Sequence, residues 1–93
     1  MTLEANDVPV MPRGVRLHFD KVRDRWVLLA PERTISLDEI ALAIHREIDG
    51  IRNFEAIVAR LAETYEAPTA EIAEDVSAYI AGLADRRFLD IAR

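Results

Sequence analysis

The stretch that decides the fold is "RWVLLAPERTISLDEI", Arg25–Ile40, because it holds two strands, a tight turn and the start of a helix. A strand with one buried face alternates apolar and polar side chains, since successive side chains point to opposite faces. The four apolar residues "WVLL" break that alternation, so both faces of this strand are predicted to be dry. Pro31 then turns the chain into a short strand, Arg33–Ser36, which leaves one edge of the sheet free.

The segment before this stretch supplies a further strand. Val15, Leu17 and Phe19 alternate with polar residues, which is the period of a half-buried strand, so the sequence predicts a three-stranded antiparallel meander. Residues 1–12 contain two prolines and no periodicity. They are predicted to form a flexible arm that contributes little to folding, and a single domain is expected over residues 13–93.

The remainder of the chain carries helical patterns. Ser36 and Glu39 have the spacing of a capping box, which predicts a first helix beginning near Leu37. Gly50 is predicted to follow its end, and Asn53 to cap a second helix. The apolar positions of these two helices are Ile40, Ile44 and Ile48, then Phe54, Ile57, Val58, Leu61 and Tyr65.

A third helix is predicted from about Thr69 to Ala84, after the break at Pro68. Three strands followed by three helices can bury one sheet face against the helices, which predicts a two-layer α+β fold. The second and third helices with the hairpin resemble a winged helix-turn-helix. The apolar stripe of the third helix and the tail that is expected to pack back on the domain are Ile72, Val76, Tyr79, Ile80 and Leu83, then Phe88, Leu89 and Ile91.

Composition limits the class of protein. The chain has 93 residues and no cysteine, so neither a disulfide scaffold nor a thiolate zinc site is expected. The first residues lack the features of a signal peptide, and no apolar run approaches the roughly 20 residues that span a bilayer. A cytoplasmic protein that does not insert into membranes is therefore predicted. The formal charge is −5, with the strand region basic and the helical region acidic.

Residues that carry chemistry are sparse. His18 and His45 have no cysteine partner and no H-x-x-x-H spacing, so no metal site is predicted. Ser36 and Ser77 lie outside nucleophile motifs, and the three glycines are too dispersed for a phosphate loop. The sequence predicts a protein that is not an enzyme and that carries no cofactor.

Two alternatives to a peptide-binding role follow from the pattern of elements. A winged-helix regulator would place the third helix on DNA, but that helix begins "TAEIAEDVSAY", with three acids and no base, and would repel the phosphates. No nucleic-acid partner is therefore expected. The other alternative is a small self-associating structural protein, in which an apolar outer sheet face forms a homodimer.

Five segments of the chain form a recognisable series: "PRGVRLHFDKVRDRWVLLAPER", "LDEIA", "DG", "LAETYEAP" and "IAEDVSAYI". In their order and spacing they resemble the PqqD family of small peptide-binding proteins in pyrroloquinoline quinone biosynthesis. The resemblance extends from Pro12 to Leu89, and "WVLLAPER" is its most specific part. One departure lies after the third helix, where the family has a glycine shortly before the last apolar pair and this chain has Arg86 and Arg87.

The resemblance implies a RiPP recognition element, a domain that binds a ribosomally made precursor peptide and delivers it to a modifying enzyme. In this family the peptide is PqqA and the enzyme is PqqE, a radical S-adenosylmethionine protein that would hold any iron–sulfur cluster. The leader peptide is expected to add as a strand to the third strand and to lie against the third helix. The implied peptide-binding residues are Arg33, Thr34, Ile35, Ser36 and Leu37 on the strand side, and Ile72, Asp75, Val76 and Tyr79 on the helix side.

Two questions about these residues stay open at the level of sequence. Ile35, Ile72 and Val76 are each as well explained as ordinary core residues. Alternate residues of an edge strand direct their N–H groups outward, so either Thr34 or Ile35, but not both, offers a donor at the free edge.

Overall fold

The computed structural model describes residues 2–92, which form two small antiparallel sheets and three helices. The predicted α+β fold, with a three-stranded antiparallel sheet followed by three helices, is confirmed. The elements are β1 Val8–Val10, β2 Arg16–Asp20, β3 Arg25–Ala30, β4 Arg33–Ser36, α1 Glu39–Arg46, α2 Phe54–Tyr65, α3 Thr69–Asp85 and β5 Asp90–Ala92.

The larger sheet has the order β2-β3-β4, with β3 in the centre. Its register aligns Leu17, Leu28 and Ile35 across the three strands, and this row contacts the core formed with the helices. One face of the sheet is thereby buried against the helical layer. The buried members of the core cluster are Leu3, Val15, Leu28, Ile44, Ile48, Ile57, Val58, Leu61, Val76, Ile80, Leu83, Phe88 and Leu89.

The central strand is dry on both faces, as "WVLL" predicts. Leu28 on the helix side is 0% exposed, and Val27 on the outer side is 1% exposed. Val27 lies between His18 and Ser36 on the neighbouring strands. An outer apolar face is therefore not available at Val27, because that side chain is already covered within one copy of the chain. The self-associating alternative stays a prediction, since the half-buried Leu29 lies on the same outer face.

Helix α1 begins two residues later than the capping-box spacing predicts. The Leu37 N–H still donates to the Trp26 carbonyl at 3.0 Å, so the strand ladder extends to that residue. The cap is instead Asp38, whose carboxylate accepts from the Ala41 N–H at 2.8 Å. The assignment of Ser36 as the cap is therefore wrong, because the sheet and not the helix determines its backbone conformation.

Helix α2 begins as predicted, with the Asn53 side chain accepting from the Ala56 N–H at 2.9 Å. Two N–H groups of its first turn, which have no acceptor within the helix, donate to carbonyls of the N-terminal segment. The Phe54 N–H donates to the Asp7 carbonyl at 2.7 Å, and the Glu55 N–H donates to the Ala5 carbonyl at 3.1 Å. The first 12 residues thus complete the cap of α2.

The N-terminal segment also forms strand β1, which pairs with β5 near the other end of the chain. Leu3 and Pro9 are buried, and the predicted return of the apolar tail is seen in the burial of Phe88 and Leu89. The structure corrects the expectation that residues 1–12 contribute little to folding. Three residues with a central proline, "VPV", carry no strand period, which is why the sequence gives no sign of β1.

Helix α3 ends at Asp85, and the chain turns through Arg86 and Arg87. The Phe88 N–H donates to the Leu83 carbonyl at 2.9 Å, and the Arg87 N–H donates to the Ala84 carbonyl at 3.1 Å. These are the two bonds of a Schellman motif. Arg87 adopts a φ of 63°, the left-handed conformation that a glycine adopts more easily. The chain therefore makes this turn with an arginine in a glycine-type position.

Candidate functional site

The edge strand β4 has one neighbour among residues 2–92, the central strand β3. Because the Leu37 N–H bonds to Trp26, every second pair along this hairpin is hydrogen-bonded, and the Leu28–Ile35 pair is one of these. Ile35 therefore directs its backbone groups inward. Thr34 and Ser36 direct their N–H and C=O groups outward, so the question left open by the sequence is settled in favour of Thr34.

The side chains of β4 divide between the two faces of the sheet. Ile35 is half-buried and packs on the core, as does Leu37 just after the strand. Thr34 and Ser36 are exposed on the outer face. Arg33 lies on the helix side, where its Nη1 donates to the Arg86 carbonyl at 3.0 Å. Arg33 thereby joins the start of the edge strand to the end of α3.

An apolar groove of about 230 Å³ lies between the three helices. Three of the predicted site residues line it, and Val76 among them is buried while Ile72 and Asp75 remain accessible. Asp75 is the single charged residue in the lining. The full lining is Ile40, Ile44, Leu61, Tyr65, Ile72, Asp75 and Val76.

Sequence reasoning missed Ile40 and Tyr65 as parts of this groove. Periodicity places both on the apolar sides of their helices, yet Ile40 is 63% exposed and Tyr65 is also exposed. Ile40 lies in the first turn of α1, where the helix extends beyond the core that covers Ile44 one turn later. Helical periodicity identifies the apolar side of α1 but not where the core ends, so the sequence holds no signal for this exposure.

Tyr79 lies one turn beyond the groove on α3. Its hydroxyl is hydrogen-bonded to Nε2 of His45 on α1 at 2.9 Å, and the two rings meet edge to face. Burial, with a smaller contribution from the charge of Asp38, raises the pKa of Tyr79 to about 12. Burial also lowers the pKa of His45 to about 4, so both groups are neutral near pH 7. The pair connects α1 to α3 beside the predicted site.

The described residues can be compared with the surfaces that metal-binding, membrane and peptide-binding proteins present. Within the described part of the chain, no cluster of three or more histidines and carboxylates is placed to hold a metal ion. None of the helices between residues 2 and 92 combines the length and apolar character that crossing a membrane requires. Among residues 2–92 the surface presents a backbone edge of β4 without a strand partner and, between the three helices, an apolar groove. An extended peptide with apolar side chains is the kind of ligand that uses such features.

Comparison with known families and proteins gives a consistent result. The family model of coenzyme PQQ synthesis protein D (PqqD) matches residues 25–89. The PqqA binding protein of Rhizobium meliloti (strain 1021) is 47% identical over 91 residues, covering 98% of this chain and 93% of that protein. The bifunctional coenzyme PQQ synthesis protein C/D of Methylorubrum extorquens is 48% identical over 85 residues, covering 91% of this chain and 23% of that longer protein.

Solved structures agree with these relatives. The solution NMR structure of the PqqD truncation of Methylobacterium extorquens PqqCD, described as a functional and stand-alone RiPP recognition element, has a TM-score of 0.80 and 46% identity. That match covers 95% of this chain and 94% of the other. The crystal structure of PqqD from Xanthomonas campestris has a TM-score of 0.60 and 39% identity, covering 96% and 99% of the two chains.

Proposed function

The chain belongs to the PqqD family, and from that premise we propose that it is a non-catalytic adaptor that binds the precursor peptide PqqA in pyrroloquinoline quinone biosynthesis. Relatives that carry the name PqqA binding protein support the peptide partner. The relative solved as a RiPP recognition element supports the adaptor role.

The observation that carries this proposal is the unpaired edge of β4. In the proposed complex PqqA adds as a strand, and its backbone bonds to the outward groups of Thr34 and Ser36. Alternate side chains of the peptide then turn toward α3. Ile72, Asp75 and Val76 receive an apolar side chain in the groove, and Tyr79 contacts the peptide between groove and strand.

We further propose that the chain presents the bound peptide to the radical S-adenosylmethionine enzyme PqqE in the cytoplasm. The bifunctional C/D relative supports a role beside other proteins of the pathway, since there the homologous segment is part of a larger synthesis protein. Strand addition at an edge supports presentation as well, because it holds one part of a peptide and leaves the flanking parts accessible to an enzyme.

The test is a calorimetric titration of the chain with synthetic PqqA, beside a scrambled peptide and a duplex DNA. We expect saturable one-to-one binding of PqqA and no comparable binding of the scrambled peptide. Only weak, salt-sensitive association with the duplex is expected, because α3 exposes Glu71, Glu74 and Asp75. Absence of PqqA binding, or tight binding of the duplex, would contradict the proposal.

A further inference from the structure

Two arginine side chains lie within cation–π distance of one buried ring near the start of the edge strand. The Arg33 guanidinium carbon lies 4.1 Å from the centre of the Phe88 ring, and that of Arg86 lies 5.1 Å from it. Phe88 is fully buried, so the ring is a fixed platform for both cations. The bond from Arg33 to the Arg86 carbonyl holds the two residues together.

Neither cation is neutralised within the described chain. The ion pairs between residues 2 and 92 involve other arginines, although Glu32, Asp85 and Asp90 are close in sequence to Arg33 and Arg86. Like charges near one ring repel each other, and an anion that bonded to either or both guanidinium groups would reduce that repulsion.

The position of this pair relates it to the peptide edge. Arg33 is the first residue of β4 and precedes Thr34, whose backbone groups point outward. A strand added to β4 must pass this point. The planar guanidinium matches the geometry of a carboxylate, to which it can donate two parallel hydrogen bonds.

We propose that Arg33 and Arg86 form a binding site for a carboxylate side chain of the peptide that pairs with β4. The inference rests on the proposed function and adds a specificity rule to it. The carboxylate lies at the Arg33 end of the edge, whereas the groove lies toward Ile40, beyond the opposite end of β4. Asp75 in the groove repels a second acid there. The two ends therefore differ in charge preference, which determines the direction and register of the bound peptide.

The first experiment measures PqqA affinity by calorimetry for the parent chain and for Arg86→Gln, Arg86→Lys and Arg16→Gln. Arg86→Gln removes the charge but keeps the backbone carbonyl that Arg33 uses. We expect it to weaken binding about three- to tenfold, more at low salt. Arg86→Lys should recover part of the loss. Arg16 is exposed on the outer face of β2, so Arg16→Gln makes the same charge change away from the site and should bind like the parent.

The second experiment replaces each Asp and Glu of PqqA in turn by its amide. One amide peptide should bind the parent chain more weakly than PqqA does, by the same factor. That peptide should bind Arg86→Gln no more weakly than PqqA does, which is the pattern of a coupled pair. The inference is overturned if folded Arg86→Gln binds PqqA like the parent, or if every amide peptide remains as sensitive to Arg86→Gln as PqqA is. If the parent chain binds no PqqA, the proposed function fails first, which is a separate result.

Discussion

At the scale of single residues, Arg87 ends α3 in a conformation that most residues avoid. A left-handed backbone costs a residue with a Cβ about 1 kcal/mol relative to glycine, which makes this turn without strain. Arg87 has a φ of 63°, and the Schellman bonds that surround it leave no alternative path for the backbone. The chain therefore carries a small local strain at a backbone position that favours glycine.

We predict that Arg87→Gly raises the free energy of unfolding by about 1 kcal/mol, measured by urea denaturation. The matched control is Arg86→Gly, because Arg86 has a φ of −91° and gains nothing from the freedom of glycine. That variant should be no more stable than the parent. Equal effects of the two substitutions would show that strain at residue 87 is not the cause.

His45 gives a prediction about pH. Its side chain is 1% exposed, and burial lowers its pKa from 6.5 to about 4, so the folded state favours the neutral ring. A depressed pKa contributes stability that is fully present above pH 6.5 and is lost as the pH falls toward about 4. We expect this residue alone to account for a loss of about 3 kcal/mol over that interval, measured by urea denaturation at a series of pH values.

The control for this prediction is the double variant His45→Phe with Tyr79→Phe. It replaces both hydrogen-bonding partners by apolar rings of similar shape, so no buried polar group is left unpaired. The remaining pH dependence should be that of the carboxylates, with a shallower slope between pH 6.5 and 4. A slope equal to that of the parent would mean that His45 does not titrate in this range.

At the scale of elements, the N–H groups of β4 alternate in direction, so that one set bonds to β3 and the other points out from the edge. Thr34→Pro removes an outward donor and leaves the ladder to β3 intact, whereas Ile35→Pro removes an inward donor. We expect Thr34→Pro to fold and to bind PqqA at least tenfold more weakly, and Ile35→Pro to unfold at lower urea. Circular dichroism and calorimetry measure the two effects. A folded Thr34→Pro variant that binds like the parent would place the peptide elsewhere.

Elements with a clear period or a local cap could be predicted from the sequence. Leu17 and Phe19 signal β2 by alternation, and Asn53 signals the start of α2. The start of α1 could not be predicted, because Ser36 and Asp38 are both good caps and the choice depends on the pairing of Leu37 with β3. The local sequence therefore identifies residues that could cap the helix, and the pairing of strands determines which of them does so.

Some residues of the candidate site could likewise be predicted from the sequence, and others could not. The resemblance indicated Ile72, Asp75 and Val76, which the structure brings together in the groove. Ile40 could not be found, because its exposure depends on where the core ends. The proximity of Arg33 to Arg86 was equally hidden, since 53 residues separate them in the chain. Contacts between distant segments depend on the packing of whole elements, which periodicity does not specify.

At the scale of the whole molecule, residues 2–12 are part of the domain. They form β1, bury Leu3 and Pro9, and supply carbonyls to the first turn of α2. We predict that deleting residues 2–10 lowers the urea midpoint and costs several kcal/mol, since it removes buried apolar surface and two caps at once. As a control, deleting Thr2 alone should have little effect on the urea midpoint. A truncated chain as stable as the parent would restore the interpretation of these residues as an arm.

The pairing of β1 with β5 has a mechanical consequence. Val8 lies opposite Ala92 and Val10 opposite Asp90, so residues 8 and 92 lie at the same end of the small sheet. A force that draws residues 8 and 92 apart acts across the strands and loads the hydrogen bonds one after another. The three-residue strands should therefore separate at low force, well before the β2-β3-β4 sheet is loaded. Tension between these two positions would first separate β1 from β5 and leave the edge of β4 intact.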